Sequence, residues 1–284
     1  MLYLKEGITV IQDLGSSIFN NQYKDYRIGN KDKLIICKDR SVLLEKNGNY
    51  ISFPTYGEAH HTEGIRYLFS INDVRYFMAH NVTGLSEKYE FYDVKIFRVA
   101  LPKEERFAGI TGFQLNTWYS THKFCSCCGE VLIHDENERM LKCPKCNMVN
   151  YPTISPAVIV GVVNGNKILV TKYAGRDYKK YALIAGFTEI GETLEETVKR
   201  EVMEEVSLKV KDIKYYGCQP WSFTNTLLVG FFAKVDGNNH IILDQHELSE
   251  GIWIDRNEMD IIEDDGISLT RDMMMAFKNN TFEF

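Results

Sequence analysis

The sequence predicts a mixed chain, α+β or α/β, built in three parts. These are a β-rich amino-terminal domain over 1–115, a connector and small ribbon over 116–150, and an α/β sandwich domain over 151–284. Three observations predict this. Short apolar runs broken by turn residues fill the first part, two CxxC pairs stand in the second, and strand-like runs flank one strongly amphipathic helix in the third. The length agrees: 284 residues, at about 150 per domain, makes two domains with room for a small module.

Composition bounds the function classes. Apolar residues are 44% and charged residues 25%, as in globular proteins, and a chain of this size needs no disulfides to bury a core. The net charge of −6 argues against a generally basic nucleic-acid surface, leaving only a local patch. The longest apolar stretch, Ala157 to Val163, is too short to span a bilayer, and MLYLKEGITVIQDLG lacks the pattern of a secretory signal. The expectation is a cytoplasmic protein with no membrane partner.

Along the first part, KLIIC, SVLLEKNGNYISF, IRYLFSI and YEFYDVKIFRVAL read as strands, and His60-His61 as surface rather than a ligand pair. Gly112 to Lys123 reads as a helix or connector into the ribbon at 124–150. In the last part AVIVGVV and KILVTKY flank Asn164-Gly165-Asn166, a hairpin signal. LLVGFFAKV and GIWID supply further strands, and Leu269 to Lys278 a final helix.

The chain has seven cysteines, of which Cys125/Cys128 and Cys143/Cys146 form the two CxxC pairs. Each CxxC turn offers two thiolates, and two turns complete a tetrahedron around zinc. Gly129 and Pro144 suit the tight turns this requires. All four positions are protein ligands, so the zinc is expected to be structural, one per chain. A disulfide cluster is the alternative, disfavoured in a reducing cytosol. Cys127 is a surplus thiol, and Cys37 and Cys218 read as small core residues.

The most informative stretch runs from Gly186 to Leu208. Thr193 followed by Glu196 makes a capping box, so a helix should begin at Leu194, with Leu194, Val198, Val202 and Val206 as its buried stripe. Glu201, Glu204 and Glu205 then share an arc of about 100° beside that stripe. Like charges so close call for a cation, and oxygen donors suit Mg²⁺ or Mn²⁺. The alternative is a solvated acidic face balanced by Arg and Lys.

Gly186, Glu192, Arg200, Glu201, Val202, Glu204, Glu205 and Leu208 together resemble the Nudix box, Gly-x5-Glu-x7-Arg-Glu-U-x-Glu-Glu-x-Gly-U with U a bulky aliphatic. The one departure is Ser207, where the family has a Gly that closes the helix in a left-handed conformation costly for Ser. The resemblance to the Nudix hydrolases implies an α/β/α sandwich that cleaves a nucleoside diphosphate linked to another moiety. It implies Glu201, Glu204 and Glu205 as metal ligands, with Glu204 as base or principal ligand. It further implies Arg200 as an orienting partner, the Ala185 carbonyl as a metal contact and Glu247 as a further ligand. Lys172, Arg176, Lys179 and Lys180 stand upstream, as phosphate attractors or plain solvated cations.

The ribbon before the box, the junction NYPTISPAVIV and the later CQPWSFTNT resemble the zinc-ribbon subgroup of the family, the NADH pyrophosphatases, whose pattern is SQPWPFPxS. Gln219, Pro220, Trp221 and Phe223 are retained, while Cys218, Ser222, Thr224 and Thr226 differ from that pattern. Gln219 is suited to an amide or ribose, Trp221 and Phe223 to stacking, and proline to stiffening the loop, which should be looser here. By resemblance Tyr151 contacts substrate and Thr270 lies near an adenosine. Also implied are a homodimer, hydrolysis of NADH and NAD⁺ to AMP and nicotinamide mononucleotide, and action on NAD-capped RNA 5′ ends. The rivals are another Nudix substrate such as ADP-ribose or a dinucleoside polyphosphate, a non-catalytic nucleotide sensor, and a zinc-ribbon nucleic-acid binder resting on Lys123, Arg139, Lys142 and Lys145.

Overall fold

In a computed structural model, residues 10–176, 179–262 and 266–282 are described. The chain divides into two compact units. One is Ile11–Thr153 with Ser222–Asn225, and the other is built on Ile154–Trp221 and Thr226–Phe284. The cysteine ribbon therefore lies in the same unit as the β-rich part.

In the first unit the strands are β1 (Phe19–Asn20), β2 (Lys33–Ile35), β3 (Cys37–Lys38), β4 (Ser41–Asn47), β5 (Tyr50–Ser52), β6 (His61–Ile71), β7 (Val74–Thr83) and β8 (Glu90–Asp93). They form one sheet in the order β1-β6-β7-β2 and a second in the order β3-β4-β5, with β8 beside β4. The helix α1 (Lys103–Thr121) follows, and then the three short strands β9 (Ile133–His134), β10 (Leu141–Lys142) and β11 (Val149–Asn150) of the ribbon.

Helix α1 starts nine residues before the Gly112 expected from sequence. Gly109 and Gly112 both fall inside it, although glycine disfavours a helix interior. Packing overrides that propensity. A Cβ on Gly109 would stand 2.1 Å from the Phe97 ring, and one on Gly112 would stand 2.2 Å from Ile35. The glycines let the helix lie directly on those side chains.

The second unit holds β12 (Ser155–Asn164), β13 (Lys167–Tyr173), β14 (Ile184–Phe187), α2 (Leu194–Val206), β15 (Val210–Trp221), β16 (Thr226–Val235), β17 (Leu248–Asp255) and α3 (Leu269–Lys278). The sheet order is β15-β16-β12-β13-β17, with β14 also paired to β12. Strand β12 runs parallel to β16, and the other pairings are antiparallel. Asn164 pairs with Lys167 and Gly165 has φ 59°, so the predicted hairpin turn is present.

Alternation along β12 sets up the layers. Val158, Val160 and Val162 pack on one side with Val198, Val202 and Val206 of α2. Ile159 and Val163 pack on the other with Leu269, Met273, Met274 and Phe277 of α3. Both faces of the sheet are thus covered by a helix, the α/β/α sandwich. Each of the three α2 valines is fully buried, contributing about 1.5–3 kcal/mol apiece.

CQPWSFTNT is not one loop. Cys218, Gln219, Pro220 and Trp221 complete β15, paired with Val229, Leu228, Leu227 and Thr226 of β16, and only 222–225 make the turn. Pro220 lies on the edge strand β15, the kind of position in a sheet where proline is tolerated.

Candidate active site and metal centre

Two local turns of the same design build the cysteine site. In the first, Gly129 N–H donates to Cys125 O (2.9 Å) and Cys125 N–H to Glu130 O (2.8 Å). In the second, Asn147 N–H donates to Cys143 O (3.0 Å) and Cys143 N–H to Met148 O (2.8 Å). Gly129 (φ 75°) and Asn147 (φ 61°) occupy equivalent left-handed positions, which glycine and asparagine adopt most readily. The sequence reading saw Gly129 and missed Asn147, although an Asn directly after a CxxC was its signal.

The Sγ atoms of Cys125 and Cys146 are 3.5 Å apart, those of Cys128 and Cys143 3.5 Å, and those of Cys128 and Cys146 3.7 Å. Four sulfurs about 2.3 Å from one zinc would stand about 3.8 Å apart, so the quartet has the dimensions of a tetrahedral site. Backbone N–H groups of Cys146 and Lys145 push the Cys143 thiol down to about 6, toward the thiolate a metal needs. Cys127 is exposed and outside the quartet.

The second site forms around α2. Thr193 Oγ1 accepts from Glu196 N–H (3.2 Å) and the Glu196 carboxylate accepts from Thr193 N–H (2.8 Å), the capping box expected from sequence. At the other end Ser207 adopts φ 56°, ψ 31°, the left-handed cap for which the resembled family has a glycine. The loop after β16 then covers the end of the helix: Ile242 N–H donates to Val206 O (3.1 Å) and Asp244 N–H to Glu205 O (2.9 Å). Satisfying these terminal carbonyls fixes the segment that carries Glu247, and Glu247 O in turn accepts from Ala174 N–H (2.8 Å).

Arg200 is the hub. Its Nε and Nη2 grip both oxygens of Glu192 (2.6 and 2.9 Å), its Nη1 donates to Glu201 (2.7 Å) and Glu204 (2.9 Å), and Nη2 also reaches Phe187 O (2.9 Å). This bidentate grip was not foreseen for Glu192, since the pair joins the loop before the helix to its middle. Arg200 holds the Glu192 carboxyl down at about 2.

Glu205 faces the other way and is 3% exposed. Burial, with Glu201 and Glu247 adding repulsion, pushes it up to about 8, against an opposing hydrogen bond from Ala185 N–H and the field of Arg176. Its Oε2 has no hydrogen-bond partner. Burial also raises the Glu201 carboxyl, which Arg200 opposes. Glu205 thus carries a buried oxygen with no hydrogen-bond partner, with the Glu201 and Glu247 carboxyls near enough to repel it. Gly186 makes room for this arrangement, because a Cβ there would lie 1.9 Å from the Glu201 carboxyl carbon. Among the described residues only the cysteines bring three or more ligand groups together in one cluster; Glu201 and Glu204 are turned toward Arg200.

The expected substrate residues are spread out. Tyr151, in the first unit, is 52% exposed and donates to Glu138 (2.7 Å). Phe223, in the segment that groups with that unit, lies under the Arg98 guanidinium, 4.8 Å from the ring centre. In the second unit Pro220 is exposed, Trp221 and Thr270 are half-buried, and Thr226 is buried where β16 begins. Gln219 departs most from expectation. It is fully buried, its Nε2 donates to Ile267 O (2.7 Å) and its Oε1 accepts from Leu269 N–H (2.7 Å). Its amide therefore holds backbone, where the sequence reading had offered it to a substrate. Among the described residues no helix is long and apolar enough to cross a membrane.

Residues 153–275, which hold the sandwich sheet and its box of carboxylates, match the NUDIX domain family. The relatives are more particular. The chain is 38% identical over 154 residues to the NAD-capped RNA hydrolase NudC of Mannheimia succiniciproducens, covering 52% of this chain and 57% of that protein. It is 36% identical over 159 residues to the NAD-capped RNA hydrolase NudC of Haemophilus influenzae (strain PittGG), covering 55% and 60%. The match thus spans less than two thirds of the length of these relatives. Among solved structures, a NUDIX hydrolase from Nitrosomonas europaea is 26% identical, covers 56% of this chain and 92% of its own, and superposes with a TM-score of 0.47.

Proposed function

We propose that this chain is a metal-dependent pyrophosphohydrolase that splits NADH, and less well NAD⁺, into AMP and nicotinamide mononucleotide. NAD-capped RNA 5′ ends would be a further substrate. The observation that carries this reading is the buried Glu205 carboxyl with an unpartnered oxygen, set beside Glu201 on a helix whose Arg200 also holds Glu204. The names of the relatives supply the nucleotide. Glu201, Glu204, Glu205, Glu247 and the Ala185 carbonyl would hold Mg²⁺ or Mn²⁺, and the four cysteines one structural Zn²⁺. When bound, the Mg²⁺ or Mn²⁺ would neutralise pyrophosphate oxygens and lower the pKa of a bound water.

The chain's own residues do the rest. Arg200 fixes the rotamers of Glu201 and Glu204 and pins the Phe187 carbonyl, so the loop from β14 cannot drift from the helix. Glu204, with 58% of its side chain exposed and one oxygen on Arg200, takes the proton of the attacking water. Within the second unit Trp221 would offer a ring face to a base, with Pro220, Thr226 and Thr270 as further substrate residues, and Tyr151 and Phe223 are the substrate residues proposed in the first unit. The protein acts as a cytoplasmic homodimer without a membrane partner.

A second reading, hydrolysis of ADP-ribose or a dinucleoside polyphosphate, is favoured by one observation: the Gln219 amide is already engaged with Ile267 and Leu269. The test is incubation with Mg²⁺ or Mn²⁺ and NADH, NAD⁺, ADP-ribose or NAD-capped RNA. AMP and reduced mononucleotide from NADH, abolished in Glu204→Gln, is the expected result. Inert NADH beside rapid ADP-ribose turnover would move the assignment to the second reading.

A further inference from the structure

The carboxamide of Gln219 behaves as an extra peptide unit. Its N–H donates to one backbone carbonyl (Ile267, 2.7 Å) and its carbonyl accepts from a backbone N–H two residues on (Leu269, 2.7 Å). That is the pattern a neighbouring strand would present, delivered by a side chain from the last rungs of β15. The side chain is fully buried, so both bonds are shielded from water. The segment it holds is the entrance to α3. Ser268, between the two bonded residues, is the N-cap of that helix and accepts from Arg271 N–H (3.4 Å), and Leu269 is its first residue.

The chemistry of the side chain is specific. Glutamate would face the Ile267 carbonyl with a second acceptor, asparagine is one methylene too short to span the gap, and leucine would leave a buried N–H and C=O unsatisfied. Gln219 and Trp221 are two apart on one strand and so share a face of β15. Through Gln219, the strand that carries Trp221 is therefore tied directly to the helix turn that carries Thr270.

We infer that Gln219 is a positioning residue: by mimicking a peptide group it locks the first turn of α3 to β15, and so sets the spacing between Trp221 and Thr270 without itself touching substrate. This rests on the reading of Trp221 and Thr270 as substrate residues, so its test includes a readout that needs no catalysis.

Hydrogen exchange at the Leu269 amide should be protected in the full-length protein and speed up by about tenfold or more in Gln219→Leu. In Gln219→Glu protection should fall as pH rises through the titration of the buried carboxyl and return on acidification, after correction for intrinsic exchange, because only the protonated carboxyl keeps a donor toward Ile267. In kinetics, Gln219→Leu should raise KM by a similar factor for NADH and for ADP-ribose, with kcat changed less than about threefold. Leu269 exchange that does not respond to either substitution would overturn the inference. So would a loss confined to NADH, which would make Gln219 a direct reader of the nicotinamide amide. If neither substrate is turned over by the unaltered protein, the functional reading fails, while exchange still decides the role of Gln219. Should Gln219→Leu not fold, the pH response of Gln219→Glu carries the test alone.

Discussion

Gly186→Ala isolates the tightest packing in the site. The added Cβ would fall 1.9 Å from Glu201 Cδ and 2.0 Å from Oε1. Ordinary carbon contacts are about 3.5–4.0 Å, so Glu201 or strand β14 must shift by about 1.5 Å. Glu201 cannot retreat freely, since its carboxylate is bonded to Arg200 at 2.7 Å and 12% of its side chain is exposed. Overpacking of this kind costs about 1–3 kcal/mol of stability, and a displacement near 1 Å in a reacting constellation costs about a hundredfold in rate. Stability is measured by urea denaturation of Gly186→Ala, Glu201→Ala and the double variant, with hydrolysis followed in parallel. In the Glu201→Ala background the obstacle is gone, so the alanine at 186 should then be nearly neutral. Additive stability losses, or hydrolysis by Gly186→Ala within about threefold of the unaltered protein, would refute the idea that Gly186 exists to admit the Glu201 carboxylate.

Three further expectations follow from neighbouring geometry. Ser207→Gly relieves a left-handed serine at the end of α2 and should raise stability by about 0.5–1 kcal/mol, read from the urea midpoint. The Glu205 carboxyl is pushed from 4.5 up to about 8. Between those values the metal-free folded chain binds more protons than the unfolded one, so stability should fall as pH rises through that window and level off above it. Denaturation in EDTA checks this, with Glu205→Gln flattening the slope. Elemental analysis should give about one zinc per chain, lost in Cys143→Ser and kept in Cys127→Ser; loss of zinc in Cys127→Ser would place the wrong thiols in the quartet.

Much of the site was legible because its parts are local. The capping box of Thr193 and Glu196, the valine stripe of α2 and the carboxylates one turn apart all follow from helical period. Both CxxC turns follow from short loops that close on themselves. What escaped reading involves partners distant in sequence. Helix α1 extends back beyond Gly112 to Lys103, where Gly109 and Gly112 leave space for Phe97 and Ile35. The Glu192 carboxylate gained its meaning only when Arg200 reached it across the loop. Gln219 looked like a free amide because Ile267 and Leu269, its partners, lie far along the chain.

The sequence by itself determined the side-chain types and their local spacing: four thiols in two knuckles, and a helix presenting Glu201, Glu204 and Glu205 beside Arg200. Backbone periodicity and side-chain chemistry suffice for that. Only the tertiary structure decided which of those carboxyls is buried, which is held by Arg200, and which polar side chains are already committed. Burial and hydrogen bonding depend on what other segments bring alongside, and for Glu205 and Gln219 those segments arrive from β14, from the loop before β17 and from the start of α3.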